Sequence, residues 1–378
     1  MWLQVIWSRN TLAEAGTSSL IASEMPQSES DKGWEILGEQ HDPTAEPGVD
    51  YAKLRQIFEL QDFLFGGQNW ASVVVRYGRI VHEHASFMGL ATSRFDVWSC
   101  TKSLTGTAWG LLLDDSRNGR LATGLRVDLD TPAYQFLPDA APLSDPLKSR
   151  ITIGQLLTMT SGIKGEDHGM YGVPTGADVG PFEHAFGHGD SRYGLSAASL
   201  SAEPGTVWEY SDPAFAHLSV LFAKVSGIEM GEFIQDRIFA PIGIENASFG
   251  VLGGAGHIGP HTCGHVGLVI SARDLARFGL LMCRGGKWGD QQIVPPWWCE
   301  LATRTSQEHN PAYGYSWWVN TAQTRWPELP IDAFALQGHN TNNCYIVPSL
   351  DLVVVKIGSG PTRWNEGDFI NGIVASLV

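Results

Sequence analysis

The sequence predicts an α/β fold: a mostly antiparallel mixed sheet flanked by helices, plus an inserted, mostly helical domain. Three observations point to it. Strand-like runs rich in β-branched residues stand near both ends of the chain, at 71–84 and 344–358. The stretch between them carries helix patterns and few β runs. The 378 residues, 43% hydrophobic and 17% charged, supply a large core, and no internal repeat is visible. On this reading residues 1–45 form a disordered or wrapping arm. Residues 46–116 and 256–378 form the α/β domain, and 117–255 the helical one.

The elements follow in order. Residues 1–45 are polar and patternless, with Pro, Ser and Glu dominating. "VDYAKLRQIFELQDFL" spaces Leu54, Ile57, Phe58 and Leu60 as one face of an amphipathic helix. "ASVVVRYGRIVHEH" reads as a hairpin turning at Gly78. Residues 99–113 place Leu104, Ala108, Leu111 and Leu112 on one helical face. "PAFAHLSVLFAKVSG" and "MGEFIQDRIFAPIG" are two further helices, closed by Gly227 and Gly243. Between 164 and 206 lies a loop rich in Gly, His and aromatics, whose Tyr171, Phe182, Phe186 and Tyr193 are expected to wall a pocket. "SARDLARFGLLMCR" opens with a capping pattern, Ser271 and Asp274. "YGYSWWV", "CYIV" and "LVVVKIG" are strands, and "DFINGIVASLV" is a closing helix.

The formal net charge of −15, from 40 acidic and 25 basic residues, repels phosphate backbones and anionic lipid. No nucleic-acid or membrane partner is expected. No apolar run approaches the roughly 18 residues of a membrane span, and the first residues do not read as a signal peptide. Five scattered cysteines argue against a disulfide framework. These features predict a cytoplasmic protein, with a homo-oligomer left open.

"WSCTKSLTG" sets Ser99 three residues before Lys102, neighbours on one helical face. A serine there is equally an ordinary helix start. Its company changes the weight. "EPGTVWEYSDPAFAHLS" supplies Tyr210 two residues before Asp212, and "ALQGHNTNNCYIV" supplies Gly338 and His339 ahead of a strand. These three segments resemble, in order, the S-x-x-K, Y-x-N and K-T-G or H-x-G motifs of serine β-lactamase-like hydrolases. "ITIGQLLTMTSGI", "FAPIGIENASFG" and "GHVGLVISARDLARFGLLMCRGGKW" resemble further segments of that group, so the likeness covers roughly residues 50–378. The chain is identified as resembling the class C β-lactamase and family VIII carboxylesterase group, with a β-lactamase/transpeptidase-like fold.

The resemblance implies Ser99 as an acylated nucleophile with Lys102 and Tyr210 as its proton shuttle. The oxyanion hole would use the N–H of Ser99 and, by alignment, that of Asn342. Asp212, His339, Asn340 and Trp98 are expected to bind substrate or support the site. No cofactor and no metal are implied, although His257, His261, Cys263 and His265 stand close in sequence. Cys100 is expected to pack rather than react.

Two departures matter. Asp212 stands where the group has asparagine; a carboxylate near Lys102 favours Tyr210 as base, while the same residue could simply cap a helix. Thr341 stands at an expected glycine, adding a Cβ where substrate should pass. With His339 in place of a permanent cation, the motif speaks for small-molecule esters. Amide or β-lactam cleavage, including small linear amides, and a non-catalytic binding relative remain alternatives.

Overall fold

The computed structural model describes residues 25–37, 48–86, 90–138, 143, 145–165, 200–252, 261–360 and 364–377. The leader before residue 25, Tyr171, Phe182, Phe186 and Tyr193 of the aromatic loop, and His257 lie outside the described residues.

Helix α1 (Tyr51–Phe65) starts at Asp50, whose carboxylate accepts from the Lys53 N–H, and ends at Gly66 in the left-handed region. Leu54, Phe58 and Phe65 are buried, but Leu60 is 55% exposed, contrary to expectation. Gln61 faces inward in its place, accepting from Trp364 Nε1 at 2.7 Å. The hairpin forms as predicted: β1 (Trp70–Arg76) and β2 (Arg79–Ala85) are joined by Tyr77 and Gly78, both at positive φ, as a two-residue turn requires.

A short β3 (Arg94–Asp96) leads through a 3-10 turn, Trp98–Cys100, into α2 (Thr101–Arg117). The middle of the chain supplies α3 (Ile153–Leu157), α4 (Asp212–Ser226) and α5 (Met230–Ile234). Then come β4 (Ser248–Phe249), β5 (Leu268–Ser271) and α6 (Ala272–Cys283), capped by Ser271 as expected. A two-stranded ribbon, β6 (Lys287–Trp288) and β7 (Gln291–Gln292), precedes α7 (Pro296–Ala302). The chain finishes with β8 (Trp318–Val319), β9 (Phe334–Gly338), β10 (Asn342–Val347), β11 (Leu352–Gly358) and α8 (Glu366–Val374). Of "YGYSWWV" only Trp318–Val319 is strand.

The main sheet runs β2-β1-β11-β10-β9-β8, and its pairings are all antiparallel. Both ends of the chain build it, and β3, β5 and β4 form a separate small sheet. The pleat decides which face each side chain serves. Val353, Val355 and Ile357 join the large core with α2 and α6. Leu352 and Val354 join the smaller core under α1 and α8. A one-residue slip would exchange the two sets, and each buried Val or Leu contributes about 1.5–3 kcal/mol. Beyond β2, Leu37 donates to Ile80 O at 2.7 Å and Ile80 to Glu35 O at 3.0 Å, so the 25–37 segment extends the sheet edge. Glu29 fastens that segment by ion pairs to Arg273 (2.9 Å) and Arg277 (2.8 Å).

Helix α2 runs through the centre, with Leu104, Ala108, Trp109 and Leu112 fully buried. Gly110 lets α7 approach it: a Cβ there would fall 2.2 Å from the Trp298 ring. The residues leading into α2 pack closely on β9, where a Cβ at Gly338 would meet Val97 O and the Ser99 and Cys100 nitrogens. Among the described residues no helix is long and apolar enough to cross a membrane.

Candidate active site

Ser99 lies in the 3-10 turn one residue ahead of the α2 N-cap, Cys100. It does not cap the helix: its hydroxyl oxygen accepts from Lys102 Nζ at 2.8 Å. The turn is strained at Trp98, whose φ is +52°. It is held by the Trp98 N–H donating to Asp96 Oδ1 at 3.0 Å and by Thr101 Oγ1 donating to Trp98 O at 2.6 Å. Burial raises the Asp96 carboxyl above its ordinary value.

Lys102 comes from the first turn of α2 and is 2% exposed. Besides Ser99, its Nζ donates to His265 O at 2.9 Å and forms an ion pair with Asp212 Oδ1. Three acceptors match the three protons of an ammonium. Asp212 is the first residue of α4, not its cap; the cap is Ser211, which accepts from the Ala214 N–H at 3.2 Å. The carboxylate is therefore turned to Lys102 and buried with it. Such a pair persists because removing one partner would strand a charge away from water.

Tyr210 reaches the same place from the segment before α4. Lys102 Nζ stands 4.9 Å from its ring centroid. The ring also stacks on Trp318, with centroids 6.5 Å apart and planes 10° apart. The first two motifs, more than 100 residues apart in sequence, thus meet around one ammonium.

The third segment arrives on β9. Gly338 presses against the Ser99 turn: a Cβ there would lie 2.1 Å from Val97 O and 3.1 Å from the Ser99 nitrogen. His339 follows, edge-on to Trp98 at 5.4 Å. Asn342, expected as the second oxyanion donor, is turned the other way. Its N–H goes to His339 O at 3.4 Å, and its side chain is buried between His339 O (2.5 Å) and the Gly358 N–H (2.8 Å). Asn342 does stand on the strand after the third motif, as expected: it opens β10 opposite Gly338, and the turn it closes directs its N–H back to His339 O.

Ser99, Tyr210, Gly338, His339 and Thr341 line a cleft of about 390 Å³. Lys102, Asp212, Trp98, Asn340 and Asn342 are not among its lining residues. Trp318, Arg325, Gln337, Asn343, Trp364 and Glu366 are, and the sequence reading had singled out none of them. Gln337 and Asn343 lie in the same segment as Gly338 and His339; nothing in spacing marks Trp318, Arg325, Trp364 or Glu366. Arg325 lies 4.7 Å over the Trp318 ring, donates to Gln337 Oε1 at 2.7 Å and pairs with Glu366 at 3.4 Å.

Cys100 is fully buried, with Sγ 3.4 Å from Asn342 O, and burial pushes its thiol far up. His261 is paired with Glu229 at 2.8 Å, and Cys263 Sγ lies 3.5 Å from His265 Nδ1. Among the described residues no group of three or more His, Cys, Asp or Glu side chains is arranged to hold a metal ion.

A family model described as Beta-lactamase matches residues 71–367, which contain every element of this site. The chain belongs to the Beta-lactamase family. Esterase EstB of Burkholderia gladioli is 27% identical to this Beta-lactamase-family chain over 196 residues, 47% of this chain and 46% of its own length. The chain thus spans less than half of EstB. The 6-aminohexanoate-dimer hydrolase of Paenarthrobacter ureafaciens is 23% identical over 318 residues, 77% of this chain and 72% of its own. EstCE1, a solved hydrolase with promiscuous acyltransferase activity, shares the fold: TM-score 0.65, 17% identity, 86% of this chain and 97% of that one.

Proposed function

We propose that the protein is a serine hydrolase that cleaves small-molecule carboxylic esters through an acyl-enzyme on Ser99. The observation that carries the proposal is the contact of Ser99 Oγ with a buried Lys102 Nζ at 2.8 Å, on the wall of a cleft shared with Tyr210. Lys102, ion-paired with Asp212, serves as a fixed cation. It orients the serine hydroxyl and favours negative charge on the Tyr210 oxygen. Tyr210 takes the Ser99 proton as Oγ attacks the ester carbonyl, then returns it to the leaving alkoxide. Water attacks the acyl-enzyme by the reverse route and releases the acid. The oxyanion is received by the Ser99 N–H and by backbone at the end of β9, at Gly338–His339, in place of Asn342. One such donor is worth about 100-fold or more in rate. Asp212, His339, Asn340 and Trp98 support this geometry.

Esters are favoured over β-lactams because His339 brings no permanent charge to the third motif, and Arg325 on the cleft wall is already paired with Glu366 at 3.4 Å rather than left to hold a substrate carboxylate. A linear amide is the second reading, and the likeness to 6-aminohexanoate-dimer hydrolase over 77% of the chain supports it.

The test is intact-protein mass spectrometry after incubation with p-nitrophenyl butyrate and, separately, a fluorophosphonate. One adduct mapping to Ser99, lost in Ser99→Ala, together with nitrophenol release, supports the proposal. No adduct from either reagent on folded protein sinks it and leaves a non-catalytic relative. Turnover of a linear amide faster than of the ester selects the second reading.

A further inference from the structure

Thr341 is a β-branched residue on the cleft wall at φ +64°, directly after Asn340 at +60°. Side chains other than glycine rarely take this conformation, and they hold it only where their surroundings compel it. The compelling group is a lysine from the neighbouring strand. Lys356, on β11 and fully buried, donates from Nζ to Thr341 Oγ1 and to Ser359 O (3.0 Å), with Gly358 O (3.4 Å) and Asn340 O (3.5 Å) as longer contacts that share the remaining proton. None of these acceptors is a carboxylate. The Phe65 and Trp364 rings flank the lysine Nζ at 4.7 and 6.0 Å.

Gly360 completes the seat. A Cβ there would fall 2.0 Å from Thr341 Oγ1 and 3.0 Å from its Cγ2, so the Thr341 side chain fills the space a larger residue would need. Both branches of Thr341 are thereby engaged on the strand side. The turn's carbonyls are also tied, His339 O by Asn342 Nδ2 (2.5 Å) and Thr341 O by Asn343 Nδ2 (3.0 Å). A threonine where the resembled motif leads one to expect glycine is thus compatible with an open cleft, provided its hydroxyl stays with the lysine.

We propose that Lys356 is a specificity-determining positioning residue: by holding the Thr341 hydroxyl against the 358–360 segment, it keeps that side chain back against the cleft wall and sets the size of substrate group that passes His339 and Thr341. The size effect rests on the ester reading; the holding of the turn does not.

The test compares p-nitrophenyl octanoate with p-nitrophenyl acetate in the full chain. In Lys356→Met the octanoate-to-acetate ratio of kcat/KM falls by about 10-fold or more, mainly through KM for octanoate, the scale of one or two misplaced carbons in a pocket. Thr341→Val, a rim substitution that removes only the hydroxyl acceptor, lowers the ratio in the same direction and carries the test alone if Lys356→Met fails to fold. Adding Thr341→Gly to Lys356→Met restores the ratio, because no side chain remains to swing inward. An equal fall for both esters, or no recovery in the double variant, overturns the proposal. Amide hydrogen exchange supplies a readout free of turnover. Exchange at 340–343 is expected to rise about 10-fold in Lys356→Met while α6 is unchanged; unchanged exchange in the turn also overturns the proposal. If the wild-type protein turns over neither ester, the ester reading falls and the exchange result decides whether Lys356 holds the turn.

Discussion

Lys102→Met should destabilise the protein, and adding Asp212→Asn to it should recover part of the loss. The two side chains are 3% and 2% exposed and form an ion pair. Methionine fills the lysine's volume but leaves the Asp212 carboxylate buried without its cation, a loss of about 3–5 kcal/mol. Asparagine in the double variant removes that charge and keeps a polar group of the same shape, whose burial costs about 1–2 kcal/mol. The second substitution therefore restores roughly 2 kcal/mol. For 378 residues the unfolding entropy is near 0.8 kcal/mol/K, so the recovery is about 2–3 °C in Tm. Urea unfolding for the free energy and thermal unfolding for Tm, both followed by tryptophan fluorescence, would measure it, with fourteen tryptophans giving a strong signal. A double variant no more stable than Lys102→Met would refute the reasoning, since Asp212 would then carry no stranded charge.

Tyr210→Phe is expected to lower kcat about 10²–10⁴-fold with little change in KM, the range for losing a general acid–base; a rate within threefold of wild type removes Tyr210 from the mechanism. Gly338→Ala must displace Val97 O or the Ser99 turn. It should cut acylation by about 100-fold, as loss of one oxyanion donor does, read as the rate of fluorophosphonate labelling; unchanged labelling would move the oxyanion site elsewhere. Burial pushes the Lys356 ammonium down from 10.5 to about 7. Between those values the unfolded chain holds a proton that the folded chain lacks, so folded stability rises with pH across this window and this contribution is lost as pH falls towards 7. Relative to Lys356→Met, the wild type should gain about 1.4 kcal/mol per pH unit between pH 7.5 and 9 in urea titrations. A flat difference would show that the ammonium stays charged throughout.

Much of the fold was legible because its signals are local. The Tyr77–Gly78 hairpin, the Ser271 cap and the Gly227 stop are written within a few residues of where they act. Leu60 was misread for the same reason. Periodicity places it near the inner face of α1, but Gln61 is the residue within reach of Trp364 Nε1, and that indole comes from the far end of the chain. Asn342 shows the limit of counting along a motif. It stands on the strand after the third motif, as the motif implies, but the direction of its N–H is set by the turn it closes, and that N–H goes back to His339 O.

The sequence by itself determined the α/β class, the order of the three motifs and the Ser99–Lys102 neighbourhood, since residues three apart come together across successive helical turns, here the 3-10 turn of Ser99 running into the first turn of α2. Tertiary structure decided the rest of the site. It paired Asp212 with Lys102, set Gly338 rather than Asn342 beside the Ser99 amide, walled the cleft with Trp318, Arg325 and Glu366, and brought Lys356 under Thr341. These partners come from different elements. They meet through strand register and the burial of apolar faces, and the loss of water around them then requires each buried charge and hydroxyl to take the partner that packing has brought within reach.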